Sequence, residues 1–153
     1  MNAVTEEMKN KYLIFDVDES YALELGKVLE IIELAAVTAV PETPDYISGV
    51  INLRGHVVPV VDLRVRFRKA PGVKSSRQCI VVVDFDGVNL GLIVDNVVDL
   101  VTIDEDSISP PPQVGTEYAH VFIKEIGIYN GEMKLIVDGD KIINHSDLEF
   151  LND

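Results

Sequence analysis

The side chains best able to do chemistry in this 153-residue chain are three histidines, one cysteine and a surplus of carboxylates. His56, His120 and His145 stand far apart, and none sits in an HExxH spacing or beside a cysteine pair that would complete a metal site. Cys79 is the only cysteine, which excludes an intramolecular disulfide. It opens an apolar run, Cys79-Ile80-Val81-Val82-Val83, and no neighbouring cation would lower its pKa, so it reads as a small buried hydrophobe and not a nucleophile. The sequence carries no Gly-x-Ser-x-Gly elbow, phosphate loop or dinucleotide fingerprint. The acids could in principle pair for glycosidase-type work, but most fall at strand ends and turns, where such residues solubilise and shape the chain. No catalytic constellation emerges, and binding becomes the leading class of function.

The elements that would position a binding surface are strands. Apolar residues come in short runs rich in Val and Ile, broken by Gly, Asp and Pro, and helical periodicity is scarce. The reading is all-β. Lys11 to Val17 and Tyr21 to Leu25 flank an Asp-Glu-Ser turn, and Val28 to Leu34 and Ala36 to Val40 continue the strand pattern as far as Pro41. Gly49 to Leu53 and His56 to Asp62 form a hairpin about Arg54-Gly55, with Pro59 expected at an edge or bulge because it lacks a donor. The basic stretch Arg64 to Ser76 reads as a solvated connection between halves. Cys79 to Phe85, Val88 to Val94 and Val97 to Ile103 follow, with Asp86-Gly87 as a hairpin turn. Val121 to Tyr129 and Glu132 to Val137 close about Asn130-Gly131, the strongest short-range hairpin signal. Short helices are expected at the connection between halves and at the C-terminus, over 138–144 and 147–151.

The net charge of −13 disfavours nucleic acid and anionic lipid surfaces as partners. The N-terminus lacks the apolar core of a signal peptide, and no run approaches the ~18 apolar residues of a membrane span, so a cytoplasmic protein without direct membrane insertion is expected.

Internal similarity refines this picture. Val28-Leu29-Glu30-Ile31-Ile32 matches Val97-Val98-Asp99-Leu100-Val101 at an offset of 69. The stretch Gly55 to Asp62 matches Gly131 to Asp138 at an offset of 76, turn glycine and terminal acid included. Each half offers about five strands, too few for a sandwich, so each is expected to close as a small barrel and remove its edges. The expected architecture is two barrels related by a pseudo-twofold, at roughly 12–76 and 77–143, with chain-terminal strands able to exchange. The groove beside their seam would be a natural docking site.

The segment Gly49-Val50-Ile51-Asn52-Leu53-Arg54-Gly55-His56-Val57-Val58-Pro59-Val60-Val61-Asp62-Leu63-Arg64 resembles the hallmark of the CheW family of bacterial chemotaxis coupling proteins. The likeness extends over Tyr12 to Phe15, Val28 to Ile31, Gly91 to Val97, Leu135 to Asp138 and Lys141 to Ile143. It is loose over Val114 to Lys124, where Thr116-Glu117-Tyr118-Ala119-His120 departs from the usual pattern. The length resembles a stand-alone CheW, without room for the receiver domain of CheV or the kinase domains of CheA. The resemblance implies two five-stranded SH3-like barrels in a single CheW-like domain, a scaffold without catalytic activity, and no cofactor or metal. It also implies two partners, the cytoplasmic tips of chemoreceptors and the regulatory domain of the histidine kinase CheA, with assembly into rings and recruitment to membrane-bound receptor arrays.

Carried onto this chain, the resemblance implies protein-binding surfaces edged by Val28, Glu30 and Ile31 and by Val97, Val98 and Leu100, with Asn52, Leu53 and Arg54 at the hairpin tip. Glu30 and Arg54 carry opposite charges that could pair across a groove; Asn52 and Arg54 could instead only build the turn, and Val97 and Leu100 could equally be core. Two other functions stay open: coupling in a two-component pathway other than chemotaxis, and a ligand sensor or enzyme using the groove between the barrels.

Overall fold

The protein is described by a computed structural model over residues 8–34, 36–71, 75–111 and 121–152. Eleven strands occur among them: β1 (Lys11–Val17), β2 (Glu19–Glu24), β3 (Val28–Glu33), β4 (Ile47–Leu53), β5 (His56–Asp62), β6 (Cys79–Phe85), β7 (Val88–Val94), β8 (Asn96–Thr102), β9 (Ile108–Ser109), β10 (Ile123–Tyr129) and β11 (Glu132–Val137). One helical turn, α1 (Leu63–Arg66), follows β5, and 3-10 turns lie at Leu25–Lys27, Glu105–Ser107, Gly139–Lys141 and His145–Asn152.

The strands form two sheets, in the orders β8-β1-β2-β11-β10-β9 and β3-β6-β7-β5-β4, each curled into an SH3-like barrel. The expected division near residues 76 and 77 does not separate them. Residues 28–94 hold every strand of one barrel, here the central barrel, whereas the terminal barrel joins β1 and β2 to β8, β9, β10 and β11. Each sequence repeat therefore gives its first hairpin to the other repeat's barrel. That exchange moves more than chain-terminal strands. It is sealed by parallel pairings, β11 on β2 (Ile136 opposite Ala22) and β5 on β7 (Val60 opposite Gly91), which are equivalent under the two offsets.

The duplication extends to irregularities. The β1–β8 register shifts so that Val98 is left unpaired, and the β3–β6 register shifts at the equivalent Leu29. The β4–β5 and β10–β11 ladders shift at the equivalent Ser48 and Lys124. Asp62 caps α1 by accepting from the Arg64 amide at 3.0 Å, and Asp138 caps its own turn by accepting from the Asp140 amide at 3.2 Å. A one-residue difference in the first hairpin turn moves the offset from 68, between β1 and β6, to 69, between β2 and β7: Asp18 (φ 67°) turns alone, whereas Asp86-Gly87 (φ 53° and 87°) makes a two-residue turn.

Alternation along the exchanged strands builds three cores. In β1, Tyr12 and Ile14 point into the terminal barrel while Leu13, Phe15 and Val17 point at the central one. In β6, Ile80 and Val82 fill the central barrel while Val81, Val83 and Phe85 face back. The shared layer between barrels is the largest of the three and holds Tyr21, Phe67 and Phe122, whose rings pack with centroids 5.0 and 5.2 Å apart.

Two sequence expectations are corrected. Ala36 to Val40 is not a strand; among its described residues only Thr38 bridges, to Val50, because Gly49 packs against that segment so closely that a Cβ would lie 2.1 Å from the Thr38 carbonyl oxygen. Arg64 to Ser76 does not begin as a solvated connection. Leu63 and Phe67 are buried, and Arg64 binds Asp18 at 2.6 Å, Asp95 at 2.5 Å and the Ala70 carbonyl at 2.8 Å, tying α1 to the terminal barrel. Arg66 donates to the Ile142 carbonyl at 2.6 Å and lies over the rings of Tyr46 and Phe122. Lys74, Pro112 and the loosely matching stretch Thr116 to His120 lie outside the described residues. Pro59 lies on the interior strand β5, opposite Val50 of β4, and not at an edge strand or bulge as expected; its missing donor is tolerated because pairing with β7 starts only at Val60. The expected C-terminal helices are 3-10 turns.

Because the main core is shared, the barrels should unfold together. Phe67→Ala is expected to cost about 3–5 kcal/mol by the measured range for such truncations, with one cooperative urea transition by both far-UV circular dichroism and tyrosine fluorescence. Two separated transitions would refute the shared core. A pH effect follows from Tyr46, whose hydroxyl donates to Asp147 on the C-terminal 3-10 turn. Burial, then that carboxylate, pushes its phenol from 10.0 up to about 12. A raised pKa stabilises the protonated fold, so this contribution is complete below pH 10 and is lost as pH climbs towards 12. Alkaline titration at 295 nm should show a late-ionising phenol that Tyr46→Phe removes, together with a flatter fall of stability over that window.

Candidate protein-binding site

The candidate residues fall on equivalent edges of the two barrels. β3 and β8 are terminal strands of their sheets, each pairing on one side only, with β6 and β1 respectively. Their bulges turn Leu29 and Val98 outwards, and Leu29 (48% exposed), Ile31 (46%), Val98 (52%) and Leu100 (56%) are large apolar side chains in solvent. Leu100 is therefore surface and not core. Val28 and Val97 are half-buried and pack against the shared core, the alternative left open for Val97, because the bulge beside each turns them back towards the seam.

At the β4–β5 tip, Asn52 and Arg54 are exposed and Leu53 packs partly against the central-barrel core. The Asn52 Oδ1 accepts from the Gly55 amide at 2.9 Å, so this side chain braces the turn. Asp84 does the same for Gly87 at 2.7 Å. Arg54 and Glu30 do pair, in a bidentate contact with one arm at 3.1 Å. They do not span the groove between barrels. The central sheet runs from β3 to β4, so the pair joins its two ends and closes that barrel.

Arg54 occupies a left-handed conformation, φ 53°, followed by Gly55 at 86°. The equivalent positions in the other two-residue turns hold Asn130 and Asp86, residues that enter this region at little cost. Turn formation alone would not select arginine here. The exposed half of the guanidinium is thus aimed at solvent beside the β3 edge.

The sequence reading missed the neighbouring hairpin surfaces. Val57 lies opposite Asn52 on the central hairpin, and Ile128 lies opposite Met133 at the equivalent place on the terminal one; all but Asn52 are exposed apolar residues. The offset of 76 maps Val57 onto Met133 and would have found the second pair from the first.

The shared core fills the seam itself. Its rim retains a polar hollow of about 170 Å³. A separate open depression of about 560 Å³ lies between the β4–β5 hairpin and the C-terminal 3-10 turn. His56 and His145, which the sequence separates, line it together, whereas His120 lies outside the described residues. Among the described residues, no three His, Cys, Asp or Glu side chains gather to hold a metal. Cys79 is half-buried, and burial pushes its thiol up, away from thiolate chemistry. No helix among the described residues is long and apolar enough to cross a membrane.

Comparison with known proteins gives this arrangement its family. The family model for the CheW-like domain matches residues 11–147. The chain belongs to the CheW-like family. It is 30% identical to the chemotaxis protein CheW of Klebsiella aerogenes over 148 residues, covering 96% of this chain and 89% of that one. It is 31% identical to CheW of Bacillus subtilis, covering 92% of each. The crystal structure of the scaffolding protein TtCheW from Thermoanaerobacter tengcongensis superposes with a TM-score of 0.79 at 38% identity, over 84% of this chain and 88% of that one. The protein is accordingly a CheW-type scaffold of chemotaxis, and its barrels, edges and hairpins are those of that fold.

The strained turn allows the fold and the surface to be separated at Arg54. Arg54→Asn relieves about 1 kcal/mol of left-handed strain and removes an exposed ion pair worth about 0–1 kcal/mol, so the urea midpoint should stay near that of the unaltered chain. A large drop in the midpoint would make the ion pair structural.

Proposed function

We propose that this protein couples the cytoplasmic tips of chemoreceptors to the regulatory domain of the histidine kinase CheA, without catalysing a reaction itself. What carries the reading is the duplication of one exposed apolar edge: Leu29 and Ile31 with Val57 on the central barrel, Val98 and Leu100 with Ile128 and Met133 on the terminal one. A chain with two similar but non-identical sticky edges on a rigid body is suited to hold two partners at a fixed separation. Acids border both edges, Glu30 and Glu33 on one and Asp99 and Glu132 on the other, which favours partners with apolar anchors and basic rims.

In this reading Val98, Leu100, Ile31 and Leu53 supply apolar contact, and Arg54 with Glu30 fixes orientation at the central edge. Val28 and Val97 act from beneath, by setting the edge strands against the shared core. Asn52 holds the hairpin tip in place. Two-edged binding would also permit alternation with the kinase in a closed ring at the receptor array.

Binding of the purified chain to the CheA regulatory domain and to a receptor cytoplasmic fragment, measured by isothermal titration at tens of micromolar, tests the proposal. Binding to neither would end it, and binding to an unrelated kinase alone would move the protein to another pathway. Val98→Asp is the better surface probe, because its side chain is in solvent: binding to one partner should weaken at least about tenfold, equal to 1.4 kcal/mol, with the Tm almost unchanged. Val97→Asp places a charge against the shared core and should lower the Tm by several degrees.

A further inference from the structure

The duplication places two equivalent gaps in the molecule, one in each barrel, where a pair of parallel strands diverges. In the terminal barrel the pairing of β11 with β2 starts at Leu135 opposite Tyr21, and side chains fill the space before it. Lys134 is buried there and donates to the Ser20 hydroxyl at 3.1 Å and to the Glu132 carboxylate at 3.2 Å. Lys69 pairs with Glu19, the residue before Ser20. That gap is plugged by charges that satisfy one another.

In the central barrel the offset of 76 puts His56, Val58 and His145 at the places of Glu132, Lys134 and Lys69. The offset of 69 puts Val88 and Asn89 at those of Glu19 and Ser20. Every charge of the plug is replaced. The strand pairing also starts one residue later, because Pro59 stands at the place of Leu135 and has no N–H to donate, so β5 first registers with β7 at Val60. All five replaced positions line the open depression of about 560 Å³. Its size falls within the range of about 300–1,000 Å³ typical of small-molecule sites.

The walls of this depression are apolar. Val57, Val58 and Val88 meet Leu148 and Leu151 of the C-terminal 3-10 turn across it, and Val57 and Leu151 leave 59% and 38% of their surface in solvent. Among the described residues no Asp, Glu, Lys or Arg lines it, although the chain carries 26 acids. Its polar groups are His56, His145 and Asn89, and each can donate an N–H. With no carboxylate in the lining to hold a cation or repel an anion, donors beside an apolar wall complement a molecule with an acidic head and an apolar body. We propose that this mouth of the central barrel binds a small apolar carboxylate, its chain against Val57, Val88 and Leu148 and its carboxylate accepting from the donors of His56, His145 and Asn89.

Titration of the full nitrogen-15-labelled chain with sodium octanoate, followed by amide chemical shifts, tests this. One saturable set of shifts is expected at residues 56–58, 87–89 and 145–151, with a Kd of about 1 mM or tighter. Octan-1-ol keeps the chain without the charge, and acetate keeps the charge without the chain; each should bind at least about tenfold more weakly. Val88→Glu combined with His145→Lys writes the Lys69–Glu19 pair into the central barrel and should abolish the shifts. Should that variant not fold, His56→Leu with His145→Leu removes two donors at exposed positions and should bring octanoate down to the affinity of octan-1-ol. The absence of saturable shifts at these residues, shifts confined to the β3 and β8 edges, octan-1-ol binding as tightly as octanoate, or octanoate binding unchanged in the folded variant would each overturn the proposal.

Discussion

The constraint on which everything else rests is that β1 and β6 are buried on both faces. Each is an interior strand of its own sheet and turns one row of side chains into its barrel and the other onto the neighbouring barrel. A small barrel alone encloses few residues, as the modest interiors around Ile14 and Ile80 illustrate. Most of the hydrophobic stabilisation must come from the layer between barrels, because free energy follows the apolar area removed from water. Exchange of the first hairpins then makes the layer obligatory: neither repeat can complete a barrel without strands from the other. A fixed separation between the two exposed apolar edges is a direct consequence of how the core is built.

The same construction also explains where charge is used. The basic residues read from sequence as a solvated linker are mostly engaged at the seam: Arg64 with two carboxylates, Arg66 with aromatic rings and backbone carbonyls, Lys69 with Glu19. With a net charge of −13, placing these cations across the junction offsets repulsion where the two bodies meet. The outward edges keep their acids. Internal cohesion and external selectivity are thus served by opposite ends of the same charge imbalance.

Hairpins were legible because their signals are local. Asp86-Gly87, Arg54-Gly55 and Asn130-Gly131 each fall in the positive-φ pair that a two-residue turn demands, and the strands beside them match the sequence reading within a few residues. The two repeats were visible as well. Barrel membership was not, because the parallel pairings of β2 with β11 and of β5 with β7 join segments far apart in the chain, and a run such as Tyr21-Ala22-Leu23 carries no mark of its partner. The half-burial of Val97 stays open in the sequence because alternation leaves both faces of a strand possible, and the bulge at Val98 then resets the phase of the strand. Glu30 and Arg54 were paired from charge alone, and their place within one barrel follows from closure of a sheet whose order the sequence does not disclose.

The paired bulges bear on how such edges stay specific. An exposed edge strand offers free backbone donors and acceptors to any extended chain, and flat apolar edges aggregate. At Leu29 and Val98 the extra residue twists β3 and β8 locally and interrupts the ladder. The same distortion pushes an apolar side chain outwards. A partner docking on such an edge would have to fit shape and side chains and could not simply extend the sheet, while the acids at Glu33 and Asp99 repel a second copy of the same edge. Two copies of one bulge, kept at equivalent positions through a divergent duplication, convert the weakest feature of a small barrel into an edge that discriminates.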